Sequence, residues 1–343
     1  MEKYTSVQKN ILNSLKAGAT DYWRLFANSP CLVMDFNEAL KELIRENVIV
    51  FDYKDAKFLL TKEGDKHARN LSGAIWPEIA CSRCAGRTVD PDYFKDFKPQ
   101  FLSILKQRPP RAEQYDQAFA PLDVVNARVN FMHMCGDLEG RKIFLVGDGD
   151  FLGPCLAITG LPAKVTILDI DQRIVSIGEK IKHENNIDSL EYILYDATQE
   201  LPQAFVGQYD CFFVDPTPTD IIMRLFITRA SRALHLDGAG YVALSHMEAS
   251  LSKWRRIHQY LLSMNFVITD IIRNFNTYDL QGEWLLSSDW RVIREFPVTL
   301  TRPADFWYYS AMMRVQSVEP LYVPEVDPIA WTPSLYMDDE LLG

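Results

Sequence analysis

Carboxylates end three apolar runs of this chain. Phe144-Leu145-Val146 runs into Gly147-Asp148-Gly149-Asp150, Ile167-Leu168 into Asp169-Ile170-Asp171, and Phe212-Phe213-Val214 into Asp215-Pro216. A glycine turn after one apolar run, followed by an acid at the end of the next, is how an open α/β sheet presents a nucleoside crevice at the carboxyl ends of its strands. Gly147 and Gly149 allow a tight turn and a close backbone approach to the ligand. The spacing Gly-x-Gly-x-x-x-Gly, ending at Gly153, departs from the dinucleotide fingerprint, and Asp148 and Asp150 would repel a pyrophosphate. NAD is therefore disfavoured, and S-adenosylmethionine or a relative is favoured.

Each acid has its own chemistry. Asp169 can accept both ribose hydroxyls, whereas Asp171 is placed to cap the helix that follows it. Asp196, in Leu194-Tyr195-Asp196-Ala197, could receive an adenine amino group or simply form a turn. Asp215 precedes proline in Asp215-Pro216-Thr217-Pro218. Pro216 keeps the chain extended and removes a donor, so the carboxylate and carbonyl of Asp215 can face a ligand. Such a group suits alkylation of nitrogen. A free alkyl amine titrates like lysine, near ~10.4, so neutralising it near pH 7 costs about 4–5 kcal/mol. A carboxylate aimed at the N–H can take up that proton as the C–N bond forms.

These acids need a sheet to hold them. Strands are expected at 142–147, 164–169, 191–195, 209–214, 239–244 and 266–272, with helices between them such as Gln172 to Asn186 and Leu251 to Met264. That alternation predicts a doubly wound, Rossmann-type α/β sheet within a unit spanning 138–315. Further strands are suggested within 284–316. Residues 1–70 read as a helical unit ending in a hairpin, the winged-helix pattern. The helix that would enter a groove, Asn37 to Asn47, carries Glu38, Glu42 and Glu46 against Lys41 and Arg45. Phosphate contact needs a basic face, so a scaffold, lid or dimerisation role is favoured over nucleic-acid binding. Residues 71–137 read as a connector that holds Cys81-x-x-Cys84. Residues 316–343 hold six acids, four prolines among them and no Lys or Arg, which predicts an extended, flexible tail.

The bulk numbers narrow the class. A net charge of −10 disfavours nucleic acid as a partner and favours a cationic ligand. No apolar run reaches the about 18 residues of a membrane span. Met1 to Thr5 lacks the apolar core of a secretion signal, so a cytoplasmic protein is expected. Six irregularly spaced cysteines fit a reducing compartment. Cys81 and Cys84 lack a second pair within the chain, so ordinary thiols are favoured over a redox pair or a metal shared across a dimer, and no metal ligand set is assigned. His246 could line the crevice, although a structural role is the simpler reading. No Ser-His-Asp order stands out.

A resemblance covers most of the chain. The amino-terminal pattern, Cys81-x-x-Cys84-x-Gly86-Arg87, Tyr115-Asp116-Gln117 and Asp137-Leu138-Glu139-Gly140 resemble the branched-chain polyamine synthase family. So do Gly147-Asp148-Gly149-Asp150, Leu168-Asp169-Ile170-Asp171, Asp215-Pro216, Ser250-Leu251-x-Lys253-Trp254-Arg255 and the run from Ile268 to Tyr278. The resemblance implies a methyltransferase-like fold, a homodimer, and transfer of aminopropyl groups from decarboxylated S-adenosylmethionine to the central nitrogen of spermidine. It implies Asp215 as the catalytic carboxylate. The donor lacks the carboxylate of its parent, so Asp148 and Asp150 would welcome its cationic tail. A polycationic acceptor needs acids and aromatic faces. Candidates are Tyr115, Asp116, Glu248 and Trp254, the last of which core packing would also explain. Two positions depart from the family pattern. Gly149 stands in place of the middle acid of Gly-Asp-Asp-Asp, and Thr217 in place of the second proline of Asp-Pro-Pro-Glu, with no Glu after it. Two other readings fit the same scaffold: an S-adenosylmethionine-dependent amine methyltransferase, which would release a different nucleoside, and a non-catalytic polyamine-binding regulator.

Overall fold

The computed structural model describes residues 4–282, 294 and 300–342. The amino-terminal part holds α1 (Ser6–Lys16), α2 (Tyr22–Ala27) and α3 (Val33–Arg45). A hairpin of β1 (Ile49–Asp52) and β2 (Lys57–Leu60) follows, then α4 (Lys62–Arg69). Thr5 caps α1 in a reciprocal box with Gln8, Asp21 caps α2 and Thr61 caps α4, so three of these helices start on a side-chain acceptor. The stretch read as a connector contains α5 (Trp76–Ile79), α6 (Lys98–Leu105) and α7 (Leu122–Met134). Its α6 and α7 bury Phe101, Ile104, Val125, Val129 and Phe131 in the core of the sheet that follows.

That sheet is built from β3 (Lys142–Val146), β4 (Lys164–Asp169), β5 (Leu190–Leu194), β6 (Tyr209–Val214), β7 (Leu234–Leu244), β8 (Phe266–Thr277) and β9 (Tyr309–Ser317). Between the strands run α8 (Leu152–Ala157), α9 (Gln172–Asn185), α10 (Asp220–Ala233) and α11 (Leu251–Ser263). Among the described residues the strand order is β5-β4-β3-β6-β7-β9-β8. The first five strands pair in parallel, and β9 is inserted antiparallel to both β7 and β8. This is the expected doubly wound, methyltransferase-like arrangement. Every expected strand is present within a few residues, and the further-strand expectation is met at β9. Most of 284–299 lies outside the described residues.

Period-two alternation divides the strands between two cores. Ile143 and Leu145 of β3 face α7, α8 and α9, while Phe144 and Val146 face α10 and α11. A third apolar cluster belongs mainly to the amino-terminal helices, yet it also contains Met247, Tyr278, Leu280, Trp307, Tyr308 and Leu342. Trp23 and Trp307 lie 4.6 Å apart, ring to ring, within it. The amino-terminal unit is thus packed directly behind one wall of the crevice.

The acidic tail is extended for most of its length and is docked on the sheet domain. Lys253 is almost wholly buried, and its ammonium contacts Asp338 at 2.7 Å and Glu340 at 3.4 Å. Glu340 also caps the start of α11 through the amide and hydroxyl of Ser250, at 2.7 and 2.8 Å. Leu341 and Leu342 are buried. Composition pointed to disorder because the tail has no cation of its own; the cation lies in α11. No helix among the described residues is long and apolar enough to cross a membrane.

Candidate functional site

A cavity opens at the carboxyl ends of β3, β4 and β6, and all three acid-terminated runs line it. Gly147 takes the left-handed conformation, φ +76°, that turns the chain after β3. The Asp148 amide then donates to Asp169 Oδ2, and the Asp171 amide to Asp169 Oδ1, both at 2.8 Å. Asp169 therefore laces the first turn to the second. Burial lifts its carboxyl to about 6 against the pull of these amides. Asp171 caps α9 as expected, accepting from the Arg173 amide at 2.9 Å.

Asp148 and Asp150 line the cavity, but their carboxylates already have protein partners. Asp148 accepts from the Tyr192 hydroxyl at 2.8 Å and from the Gly153 amide at 3.2 Å. A side chain at Gly153 would meet Asp148 Oδ2 at 2.9 Å, so glycine permits that approach. Burial, with Asp169 and Asp150 adding to it, pushes the Asp148 carboxyl up to about 8. Its proton affinity is thus raised, and its carboxyl is engaged from within the protein by Tyr192 and Gly153. Asp150 accepts from the Ala120 amide at 2.6 Å and pairs with Arg128 at 2.6 Å. Gly149 leaves the tip of the turn open, with Phe119 3.6 Å from where a Cβ would stand.

Asp215 stands at the end of β6 with Pro216 beside it in the cavity lining. Arg128 Nη2 lies 2.5 Å from Asp215 Oδ2, and the Tyr278 hydroxyl reaches Oδ1 at 2.8 Å and Oδ2 at 2.9 Å. Burial pushes the carboxyl of Asp215 up; Arg128 pulls it back, Asp150 adds to the rise, and the bonds from Tyr278 and Arg128 oppose it. The group is a fixed carboxylate with raised proton affinity, facing a cavity that also holds Asp148, Asp150 and Asp169. Asp196 Oδ1 accepts from the amide and hydroxyl of Thr198, at 2.9 and 2.7 Å, so the turn expected as an alternative is present, within the cavity lining.

The lining also carries Tyr115, Asp116 and Glu248. Asp116 accepts from the Thr217 hydroxyl at 2.8 Å. Its surface is open to the cavity, yet the surrounding walls displace bulk water, and that lost hydration lifts its carboxyl to about 6. Burial, then the charge of Asp116, pushes Glu248 up to about 7, opposed by the Tyr308 hydroxyl and the Leu342 amide, which donates to it at 2.9 Å. Trp254 is not there. It is buried in the core between α10, α11 and the sheet, with the His246 ring stacked on it at 4.2 Å. Helical periodicity puts Trp254 on the same inward face of α11 as Ile257 and Leu261, so core packing accounts for it. His246 is half-buried, and burial pulls its imidazole down to about 4.

Several lining groups went unassigned in the sequence. Arg128 lies between Ala127 and Val129 on a helix that also carries Val124, Val125 and Phe131, and a guanidinium buried there demands anions; that was the available signal. Trp331 and Tyr336 reach the cavity from the tail, where Trp331 meets Tyr115 edge to face at 5.8 Å. The tail is held over the opening by the Thr219 hydroxyl, which donates to Leu335 O at 2.8 Å. Cys81 is exposed, Cys84 half-buried, and neither lines this cavity. No cluster of three or more metal-ligating side chains occurs among the described residues.

Among the described residues, seven carboxyl groups and two guanidiniums, Arg111 and Arg128, line the cavity. That balance suits a polycation next to a nucleoside without a carboxylate, and opposes a phosphorylated ligand.

Comparison with known proteins agrees. The family described as branched-chain polyamine synthase A C-terminal domain matches residues 96–341. The N(4)-bis(aminopropyl)spermidine synthase of Thermococcus kodakarensis is 34% identical over 342 residues, 98% of this chain and 94% of that protein. The enzyme of the same name from Methanocaldococcus jannaschii is 32% identical over 321 residues, 91% of this chain and 88% of that one. The crystal structure of the branched-chain polyamine synthase from Thermus thermophilus, in complex with N4-aminopropylspermidine and 5′-methylthioadenosine, aligns with a TM-score of 0.85. It is 28% identical, and the alignment covers 98% of this chain and 92% of that chain.

Proposed function

This chain belongs to the branched-chain polyamine synthase family, and we propose from that premise that it is an aminopropyltransferase acting on spermidine or a related polyamine. The observation that carries the reading is Asp215, held by Arg128 and Tyr278 in one cavity with the nucleoside-side acids and the acidic wall. Decarboxylated S-adenosylmethionine is the donor. A neutral amine nitrogen attacks the methylene next to the sulfonium; the C–N bond forms, the C–S bond breaks and its electron pair stays on sulfur. 5′-Methylthioadenosine leaves, and Asp215 takes the amine proton.

The other residues bind and orient. Backbone at Gly147 and Gly149 lets the nucleoside approach. Asp169 receives the ribose, Asp196 the adenine amino group, and Pro216 fixes the loop against the donor. Asp148 and Asp150 shape the turn, with Asp150 also contributing negative charge beside Asp215. Tyr115, Asp116 and Glu248 hold the ammonium groups of the acceptor; each acid, lifted by burial, gains a partner when a cation enters. A winged-helix-like amino-terminal scaffold, a catalytic unit over residues 138–315, a homodimer and a cytoplasmic setting complete the proposal. The charge balance gives no support to nucleic acid as a partner.

The test is incubation with spermidine and either decarboxylated or intact S-adenosylmethionine, with products identified by mass spectrometry. Methylthioadenosine with an aminopropylated amine supports the reading. Methylated amine from the intact donor, or no product from either donor, overturns it.

A further inference from the structure

Arg128 spends all three of its nitrogen positions inside the protein. Nε donates to Asn276 Oδ1 at 2.9 Å, Nη1 to Asp150 at 2.6 Å and Nη2 to Asp215 at 2.5 Å. The guanidinium lies 5.0 Å from the Phe213 ring centre, and its side chain is 1% exposed. Asn276 is itself tied to Ser310, at 2.9 Å, so the fork is aimed from behind. The charged and titratable groups facing this cluster are Asp150 from the glycine turn, Tyr278 from beyond β8, and Arg108 from the loop before α7, which donates to the Asp150 carbonyl. Two carboxylates share one guanidinium, so the three side chains carry one net negative charge.

We propose that Arg128 is a positioning residue that sets both the charge and the aim of Asp215. It keeps two neighbouring acids from sharing a proton, and, divided between them, it leaves Asp215 short of a full balancing positive charge. The ammonium that forms as the amine is alkylated supplies that charge. Before reaction the site holds a carboxylate ready to accept; during reaction the charge develops against a preorganised partner. Without Arg128, Asp150 and Asp215 face each other as like charges, and one binds a proton at higher pH. The inference rests on the aminopropyltransferase reading.

The experiment compares wild type with Arg128→Gln, Arg128→Lys, Arg128→Ala and Asn276→Ala. In Arg128→Gln the acid limb of the kcat profile is expected to move up by about one to three pH units. Its kcat is expected to fall about 10²-fold, with KM for the donor little changed. Arg128→Lys keeps the charge and loses the fork, so its limb stays near wild type while kcat drops. Guanidinium ion added to Arg128→Ala restores turnover saturably. Asn276→Ala, which only loosens Nε, moves the limb the same way by less, and serves if the Arg128 variants do not fold. A folded Arg128→Gln with the wild-type limb, or no rescue by guanidinium, overturns the proposal, because a purely structural arginine predicts both. A wild type that makes no methylthioadenosine overturns the reading of function instead. A 13C-carboxyl titration of Asp215 in wild type and in Arg128→Gln or Asn276→Ala then decides the Arg128 proposal without turnover: an upward shift upholds it, and none overturns it.

Discussion

The Tyr278 hydroxyl contacts both carboxylate oxygens of Asp215, at 2.8 and 2.9 Å, and so faces the carboxylate end-on. A hydrogen bond to the charged form favours that form. Tyr278→Phe should therefore raise the acid limb of the pH–rate profile and lower kcat, while the Phe ring keeps its place in the amino-terminal cluster. A pH–rate series on the variant checks this; an unshifted limb would leave Tyr278 a packing residue only.

Asp215→Asn keeps the shape of the loop and removes the proton acceptor. Loss of about 10²–10⁴-fold in kcat is expected, the range for a positioned base. The fold should persist, since Arg128 keeps Asp150 as its partner. Turnover close to wild type in a variant folded by circular dichroism would remove Asp215 from the mechanism.

Buried acids give the native state a pH signature. Asp148 is lifted to about 8, Glu248 to about 7 and Asp169 to about 6. Each binds its proton more tightly folded than unfolded, where carboxyls titrate near ~4. Their destabilising effect is absent below the unfolded value, grows as pH rises and is complete above the folded value. Asp148→Asn should thus gain in melting temperature over wild type progressively from about pH 4 to pH 8. A constant difference across that window in scanning calorimetry would count against the shift.

Lys253 depends on the tail for its charge partners. Asp338→Asn with Glu340→Gln removes both ion pairs of a buried ammonium and leaves it hydrogen-bonded to the Glu248 carbonyl, 3.1 Å away. A loss of about 3 kcal/mol is expected for a buried pair broken on one side. The tail should release first, so limited proteolysis between 320 and 342 should accelerate before global unfolding does. KM for the amine should rise as well, because Leu342 no longer holds Glu248.

Trp254→Phe separates two roles for one side chain. The Trp254 indole nitrogen has no hydrogen-bond partner, so phenylalanine loses only volume there. A cost of about 1–3 kcal/mol in denaturant unfolding is expected, with KM for the amine unchanged. A large rise in KM at unchanged stability would return Trp254 to the substrate wall.

The strands and the acids that end them were legible because each strand is a short apolar run with a polar stop, a pattern local to a few residues. Asp171 as a cap was legible for the same reason, since the cap and its helix adjoin. Arg128 was harder, because its partners lie 22 and 87 positions away. The docked tail was hidden by composition: Asp338 and Glu340 read as solvated charge until α11 supplies Lys253. Trp254 shows the reverse error, in which a residue type that suits a cation was already committed to an inward helix face.

The apolar cluster of the amino-terminal helices also contains Tyr278 and Tyr308, whose hydroxyls hold Asp215 and Glu248. That arrangement bears on how the protein could be cut and recombined. A catalytic half excised after α4 would leave the backs of both tyrosines facing water, and the two acids would lose their fixed aim even though every strand of the sheet remained. Exchange of the first seventy residues with those of a relative is therefore a substitution at the site, made through the packing behind its tyrosines, and a chimera would be expected to reveal it in acceptor preference before it showed in folding.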